Sequence, residues 1–135
     1  MLNNFEFNTE QTGDILVSAY QELVDSDYSN DEVWSYCLRI ENNSNERIRL
    51  MKKNLCLTDE KGNSHYDISD GFNGELPDLE PGEYFEFEDT AKVVGNATVL
   101  YGSCFAITNK GKELKIKLPV INLSSSNVIS NLEFC

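Results

Sequence analysis

A single histidine, His65, limits the proton-transfer chemistry open to this 135-residue chain, because imidazole is the side chain whose ordinary titration falls near neutral pH. His65 and Asp67 share one face of a strand, with Ser64 and Ser69 close by. Neighbours along one strand cannot converge as nucleophile, base and orienting group on a single atom. No catalytic residue is assigned, and the chain is expected not to be an enzyme.

Acidic oxygens form two clusters, Asp25, Asp27, Asp31 and Glu32 in one loop and Asp67, Asp70, Glu75, Asp78, Glu80 and Glu83 in and around another. Such oxygens suit calcium, and the run from Asp25 opens like an EF-hand loop. It lacks glycine at the sixth position and has Tyr36 where the bidentate glutamate belongs. Solvated loops and no cofactor are expected, with divalent-cation binding kept as an alternative. In Ser69-Asp-Gly-Phe-Asn-Gly74 the glycines leave backbone N–H groups able to approach an anion, so Ser69, Gly71 and Gly74 are candidates for a phosphate-containing small molecule. No helix follows to add a macrodipole, and Asp70 and Glu75 repel phosphate.

The cations are more concentrated. Of eleven lysines and arginines, eight lie in two segments: Arg47, Arg49, Lys52 and Lys53, then Lys110, Lys112, Lys115 and Lys117. Alternation along a strand points Arg47, Arg49, Lys115 and Lys117 outward and Leu114, Ile116 and Leu118 inward. If the long strand from Ala97 to Thr108 runs between them, its outward residues are expected to be Leu100, Gly102, Cys104 and Ala106. That arrangement is a flat strip flanked by cations, suited to a protein partner that is acidic at the contact.

What positions these residues is a chain of strands. Period-two alternation recurs, and no window carries the helical spacing of apolar residues. Strands are expected near residues 14–23, 33–42, 47–58, 63–68, 83–88, 97–108 and 113–120. Turns at Asp59-Glu-Lys-Gly62, Glu80-Pro-Gly-Glu83 and Thr108-Asn-Lys-Gly111 separate several of them. Seven short strands fit an all-β, antiparallel sandwich of immunoglobulin-like or fibronectin type III-like character, with a closed barrel as the alternative. Trp34, Tyr36, Leu38 and Ile40 form one buried face, leaving Cys37 on the other with Ser35 and Arg39. Ile48 and Leu50 are out of phase with Leu55 and Leu57, which calls for a bulge near Lys52 to Asn54. The body is expected to span 14–123, with an N-terminal extension at 1–13 and a C-terminal tail at 124–135.

A net charge of −12 disfavours non-specific nucleic-acid binding, and no apolar run approaches the length of a membrane helix. The amino terminus has neither a basic start nor an apolar h-region, so a cytoplasmic location is expected. Cys37, Cys56, Cys104 and Cys135 are accordingly expected to be free thiols.

At Trp34-Ser-Tyr-Cys-Leu-Arg-Ile-Glu-Asn42 the sequence resembles the aromatic-rich second strand of the ApaG domain family. Leu57-Thr-Asp-Glu-Lys-Gly62 is similar to that family's hairpin, and Gly74-Glu-Leu-Pro-Asp-Leu-Glu-Pro-Gly-Glu-Tyr-Phe85 to its G-E-x-P-x-L-x-P-G-E-x-F stretch. Leu100-Tyr-Gly-Ser103 stands at its M-x-G-S segment, and Leu118-Pro119 and Leu123 fit the closing strand. The resemblance covers residues 14 to 123 and implies the same kind of sandwich. It also implies a link to cobalt and magnesium tolerance in bacteria and, in eukaryotic proteins, partner recognition. The family's G-x-G-x-x-G loop falls on Ser69, Gly71 and Gly74, with serine replacing the first glycine. Lys53-Asn54-Leu55 stands where the family tends to have R-H-W, and Cys104 where it has tyrosine. The chain is therefore expected to be a non-enzymatic, protein-binding module that works through a sheet face.

Overall fold

The computed structural model describes residues 8–26, 32–93 and 98–123. Within them the chain runs β1 (Asn8–Thr12), β2 (Ile15–Ser26), β3 (Glu32–Asn42), β4 (Ile48–Asp59), β5 (Ser64–Asp70), β6 (Asp78–Leu79), β7 (Tyr84–Val93), β8 (Thr98–Thr108), β9 (Glu113–Lys117) and β10 (Ile121–Leu123). The first sheet has the order β1-β2-β3-β7. The second is built on the neighbours β8 and β4. β5 and then β6 line the free side of β4, while β9 and then β10 line the free side of β8. Every pairing between these strands is antiparallel, and the all-β sandwich expected from the alternation is what forms.

Each of the seven expected strands has a counterpart. The additions are β1, β6 and β10, all at sheet margins. β1 comes from the segment set apart as an extension; Gly13, at φ 56°, turns the chain so that β1 pairs with β2. The expected last strand ends at Lys117, and the chain re-pairs with β8 only at Ile121, one register position beyond a short break.

Burial follows from this pairing. Trp34, Tyr36, Leu38 and Ile40 of β3 are buried together with Ile15, Val17 and Ala19 of β2 and Phe87 and Val93 of β7. The second sheet answers with Ile48, Leu50 and Leu55 of β4 and Ile116 of β9. The phase problem in β4 is resolved by a register shift between Leu50 and Lys52, with Met51 as the extra residue. The bulge thus sits slightly before the expected place, and it lets Leu50 and Leu55 both face the core despite their opposite parity.

Asn42 organises the turn into β4. Fully buried, it donates from Nδ2 to the carbonyls of Glu46 (2.8 Å) and Leu79 (2.9 Å), and its Oδ1 accepts from the Ser44 amide (3.0 Å) and hydroxyl (2.6 Å). All four of its side-chain hydrogen-bonding positions are thereby used, which is what a buried amide requires.

One expectation is reversed. Leu100, Cys104 and Ala106 of β8 point into the core, not outward, and all three are buried. Gly102 has the same parity, and a Cβ there would run into the carbonyl oxygen of Asn54. Both parities of β8 carry apolar residues, so alternation alone does not say which side is inner. The small side chains went inside, into a core already holding the rings of Trp34, Tyr36, Phe72 and Phe87. Packing of fixed density accepts that choice and rejects the bulkier alternative.

Candidate functional site

The outward residues of β8 are Val99, Tyr101, Ser103, Phe105 and Ile107. Cross-strand register lays the rest of this face out in rows. Tyr101 faces Cys56 of β4, which faces Tyr66 of β5; Ser103 lies between Asn54 and Lys117, with Ile68 beyond Asn54; Phe105 lies between Lys52 and Lys115. Tyr66 is 68% exposed, Ile68 54% and Tyr101 42%. Asp70 opposes Lys52 and Glu113 opposes Ile107, so the face is mixed in charge at that end.

The cations chosen from the sequence do flank β8, since β4 and β9 are its neighbours. Their environments differ. Arg49 is held by Asp78 in a two-point pair, Nε to Oδ1 at 2.8 Å and Nη2 to Oδ2 at 2.9 Å. The guanidinium holds the Asp78 carboxyl below its ordinary range, and the carboxylate raises Arg49 in return. Lys117 has Glu10 at a loose 4.0 Å. Arg47 is exposed near Asp78, and Lys115 is exposed opposite Phe105. Lys53, grouped with these by sequence, goes elsewhere. The bulge turns it into the gap between the sheets, where it is 4% exposed, 3.1 Å from the Asp67 carboxylate and 4.3 Å from the centre of the Phe87 ring.

Cys56 lies in the middle of the face. Its sulfur is 3.5 Å from the Thr58 hydroxyl, which is itself 2.8 Å from that of Ser64 and 3.4 Å from that of Tyr101. Burial is the largest single influence and pushes the thiol up. The hydroxyls of Thr58, Tyr101, Ser64 and Tyr66 act in the opposite sense and bring it below its ordinary value. Sequence gave no hint of this cluster, because the four hydroxyls come from three strands.

The outer face of the first sheet is different in character. Register places Glu22 of β2, Arg39, Glu41 and Cys37 of β3, and Tyr84, Glu86 and Glu88 of β7 on it. Arg39 is its central cation, 3.7 Å from Glu41 and 3.8 Å from Glu86, with its guanidinium 3.6 Å over the Tyr84 ring. Cys37 takes the outward side expected for it but is itself buried.

The glycine loop has its backbone donors engaged internally. The Gly71 amide donates to Met51 (2.8 Å), that of Phe72 to Glu75 (2.8 Å) and that of Glu75 to Phe72 (3.0 Å). Gly71 has φ 69°, and a Cβ there would strike the carbonyl oxygen of Glu75. Gly74 is also at positive φ, and Ser69 faces Lys53 across β5 and β4. The loop's purpose in the fold is legible: it delivers Phe72 to the core, 5.4 Å from the ring of Phe85 and 5.1 Å from that of Phe87. A turn whose amides are already bonded has few left for an anion.

His65 is exposed on β5, opposite Leu57. Among the described residues no three or more histidine, cysteine, aspartate or glutamate side chains gather as a metal site. Asp27 and Asp31 of the EF-hand-like run lie outside the described residues, as does Cys135. Cys37, Cys56 and Cys104 are free thiols. No helix of the described residues is long and apolar enough to cross a membrane.

Comparison with known proteins agrees with this architecture. The family model of the ApaG domain matches residues 23–108. Protein ApaG of Parvibaculum lavamentivorans is 32% identical over 105 residues, covering 78% of each chain, and that of Rhodospirillum centenum 29% over 120 residues, covering 87% of this chain and 92% of the relative. Neither name designates an enzyme. Among solved structures, a structural-genomics target superposes with a TM-score of 0.79 at 18% identity, covering 88% of this chain and 92% of the other. A crystallised Bordetella pertussis protein assigned the name ApaA gives 0.78 at 22% identity, covering 82% and 93%. At those identities the likeness is one of fold. Sequence and structure together place the chain in the ApaG domain family.

Proposed function

We propose that the chain is a non-enzymatic binding module that recognises a protein partner through the outer face of its second sheet, with anionic groups of the partner meeting the cations there. The observation that carries this reading is the exposure of Tyr66, Ile68 and Tyr101 together on one face. Contiguous exposed apolar side chains of this kind mark contact surfaces more often than scattered ones do. Aromatic side chains also supply much of the energy at protein interfaces. Lys52, Lys115 and Lys117 lie on the same face, and their role is to steer an acidic partner toward a protein whose net charge is −12.

The test is affinity purification of partners, repeated with Tyr66→Ser/Ile68→Ser and, as a control on the opposite face, Glu86→Gln/Glu88→Gln. Loss of a partner with the first pair but not the second supports the assignment. For that partner, Lys52→Glu/Lys115→Glu lowers the association rate several-fold and flattens its dependence on salt, because rim charges act mainly on encounter. Retention of every partner by the Tyr66→Ser/Ile68→Ser variant, with native circular dichroism, overturns the proposal.

A further inference from the structure

Where β9 gives way to β10, the chain lifts from β8 and leaves a cleft of about 460 Å³ walled by Tyr101, Leu118 and Val120, with Lys115 and Lys117 at its margin. The opening has a structural cause. Ser103 pairs with Lys117 and Leu100 pairs with Ile121, and between these positions the Leu118 amide keeps one bond, 3.1 Å, to the Gly102 carbonyl. Pro119 follows, lacks an amide hydrogen and is buried, so the segment does not continue the ladder.

Two independent features bear on what would occupy this space. The first is its chemistry: apolar walls with two amines beside them on a strongly acidic protein. Lys115 is exposed and has no ionic partner among the described residues, and Lys117 has only the distant Glu10. The second is Ser103, which lines the cleft; its hydroxyl is open to the cleft rather than sealed in the core, and it has no hydrogen-bond partner among the described residues. Water can reach this hydroxyl in the open cleft, so an acceptor brought in by a ligand would take over its hydrogen bond rather than relieve a buried one.

From this geometry we infer that the cleft is an anchor site for an acidic peptide segment, in which a large apolar side chain fills the space between Tyr101, Leu118 and Val120. Neighbouring carboxylates meet Lys115 and Lys117, and an acceptor of the segment takes the Ser103 hydroxyl. This rests on the sheet-face reading and deepens it, since Tyr101 belongs to both the cleft and the face. A peptide, rather than a free small acid, is the occupant chosen because the cleft opens onto that face and a chain is able to continue across it.

The experiment is an NMR titration of the full ¹⁵N-labelled chain with an acetylated, amidated peptide of sequence Asp-Glu-Phe-Leu-Glu-Asp. Its counterpart with asparagine and glutamine in place of the acids, and phenylacetate, are titrated in parallel. Shifts confined to Tyr101–Ser103 and Lys115–Val120 are expected. Binding is expected to weaken at least about tenfold with the amide peptide and with Lys115→Glu/Lys117→Glu, and several-fold with Ser103→Ala. Silence of those residues at millimolar peptide overturns the inference. So does equal binding of the amide peptide, or of phenylacetate alone. A partner that is lost with Tyr66→Ser but kept with Lys115→Glu/Lys117→Glu/Ser103→Ala leaves the face standing and removes the cleft. Peptide in the cleft with partners indifferent to Tyr66→Ser does the reverse.

Discussion

The two outer faces of the sandwich each place a cysteine at the centre, and they act on it in opposite ways. Cys37 on the first sheet and Cys56 on the second are each 4% exposed, with Cys37 the more deeply enclosed of the two. At Cys37 burial raises the thiol first, and Glu86 and Glu88 add to it, outweighing the Tyr20 hydrogen bond and Arg39. At Cys56 the penalty of burial is outweighed by hydroxyl donors, and the thiol is lowered. Equal surface exposure therefore does not mean equal chemistry: depth of enclosure and the neighbouring groups both differ. A face lined by carboxylates resists a new negative charge, whereas one lined by hydroxyls, rings and amines accepts it. The net charge of −12 hides this division.

The largest expected way to break the contrast is Gly102→Ala. The strands of the first sheet contain no glycine, whereas β8 needs one where it passes Asn54. The added methyl must push β4 and β8 apart, so a loss of about 3 kcal/mol or more is expected in urea unfolding. Ser18→Ala on the first sheet is expected to stay within about 0.5 kcal/mol. Similar midpoints for the two variants would mean that the strands adjust freely there.

Next in size is the charge pair in the gap between the sheets. Asp67→Ala leaves the Lys53 amine buried beside Phe87 without its carboxylate, a change expected to cost about 2 kcal/mol. That is less than for a fully buried pair, because Asp67 is 44% exposed. Lys53→Met/Asp67→Ala is expected to recover most of the loss, since the double change removes the charge along with its partner. A double variant no more stable than Asp67→Ala would argue that Lys53 stabilises by contacts other than its charge.

The thiols give a smaller effect, read as a rate. With its pKa lowered, Cys56 holds more thiolate at pH 8 than Cys37, and native-state alkylation by iodoacetamide is expected to be roughly tenfold faster at Cys56. Tyr66→Phe and Tyr101→Phe each remove a donor and should slow it. Cys104, pushed up to about 12 by burial, is expected to react only on unfolding. Equal rates at Cys37 and Cys56, measured by peptide mass spectrometry, would erase the difference between the faces.

The smallest effect belongs to the exposed Arg49–Asp78 pair. Despite its two-point geometry, Asp78→Asn is expected to leave the urea midpoint within experimental scatter in high salt, because solvent screens both groups. A clear salt-independent loss would show that this pair fixes β6 against β4, and so belongs with Lys53 rather than with the surface.

Much of the site was legible residue by residue, yet its composition was not. Flanking of β8 by Arg49 on one side and Lys115 and Lys117 on the other follows from sandwich topology and from clean alternation in β9. The strip between them was misassigned, because Leu100, Cys104 and Ala106 and the set Tyr101, Phe105 and Ile107 alternate equally well. Likewise the bulge was visible as a clash of phase between Leu50 and Leu55. Its placement at Met51, which sends Lys53 inward, depends on the register with β8.

The sequence by itself determined seven of the ten strands among the described residues, the turns between several of them, and the family. Each of these depends on local alternation, on glycine or proline at a turn, or on motifs in order. Only the tertiary structure decided which side of β8 faces solvent, where Phe72 is buried, and which hydroxyls meet Cys56. Alternation fixes which residues of a strand share a side, but not which side is inner. That choice is made by volume, when two sheets must fill the space between them at one density.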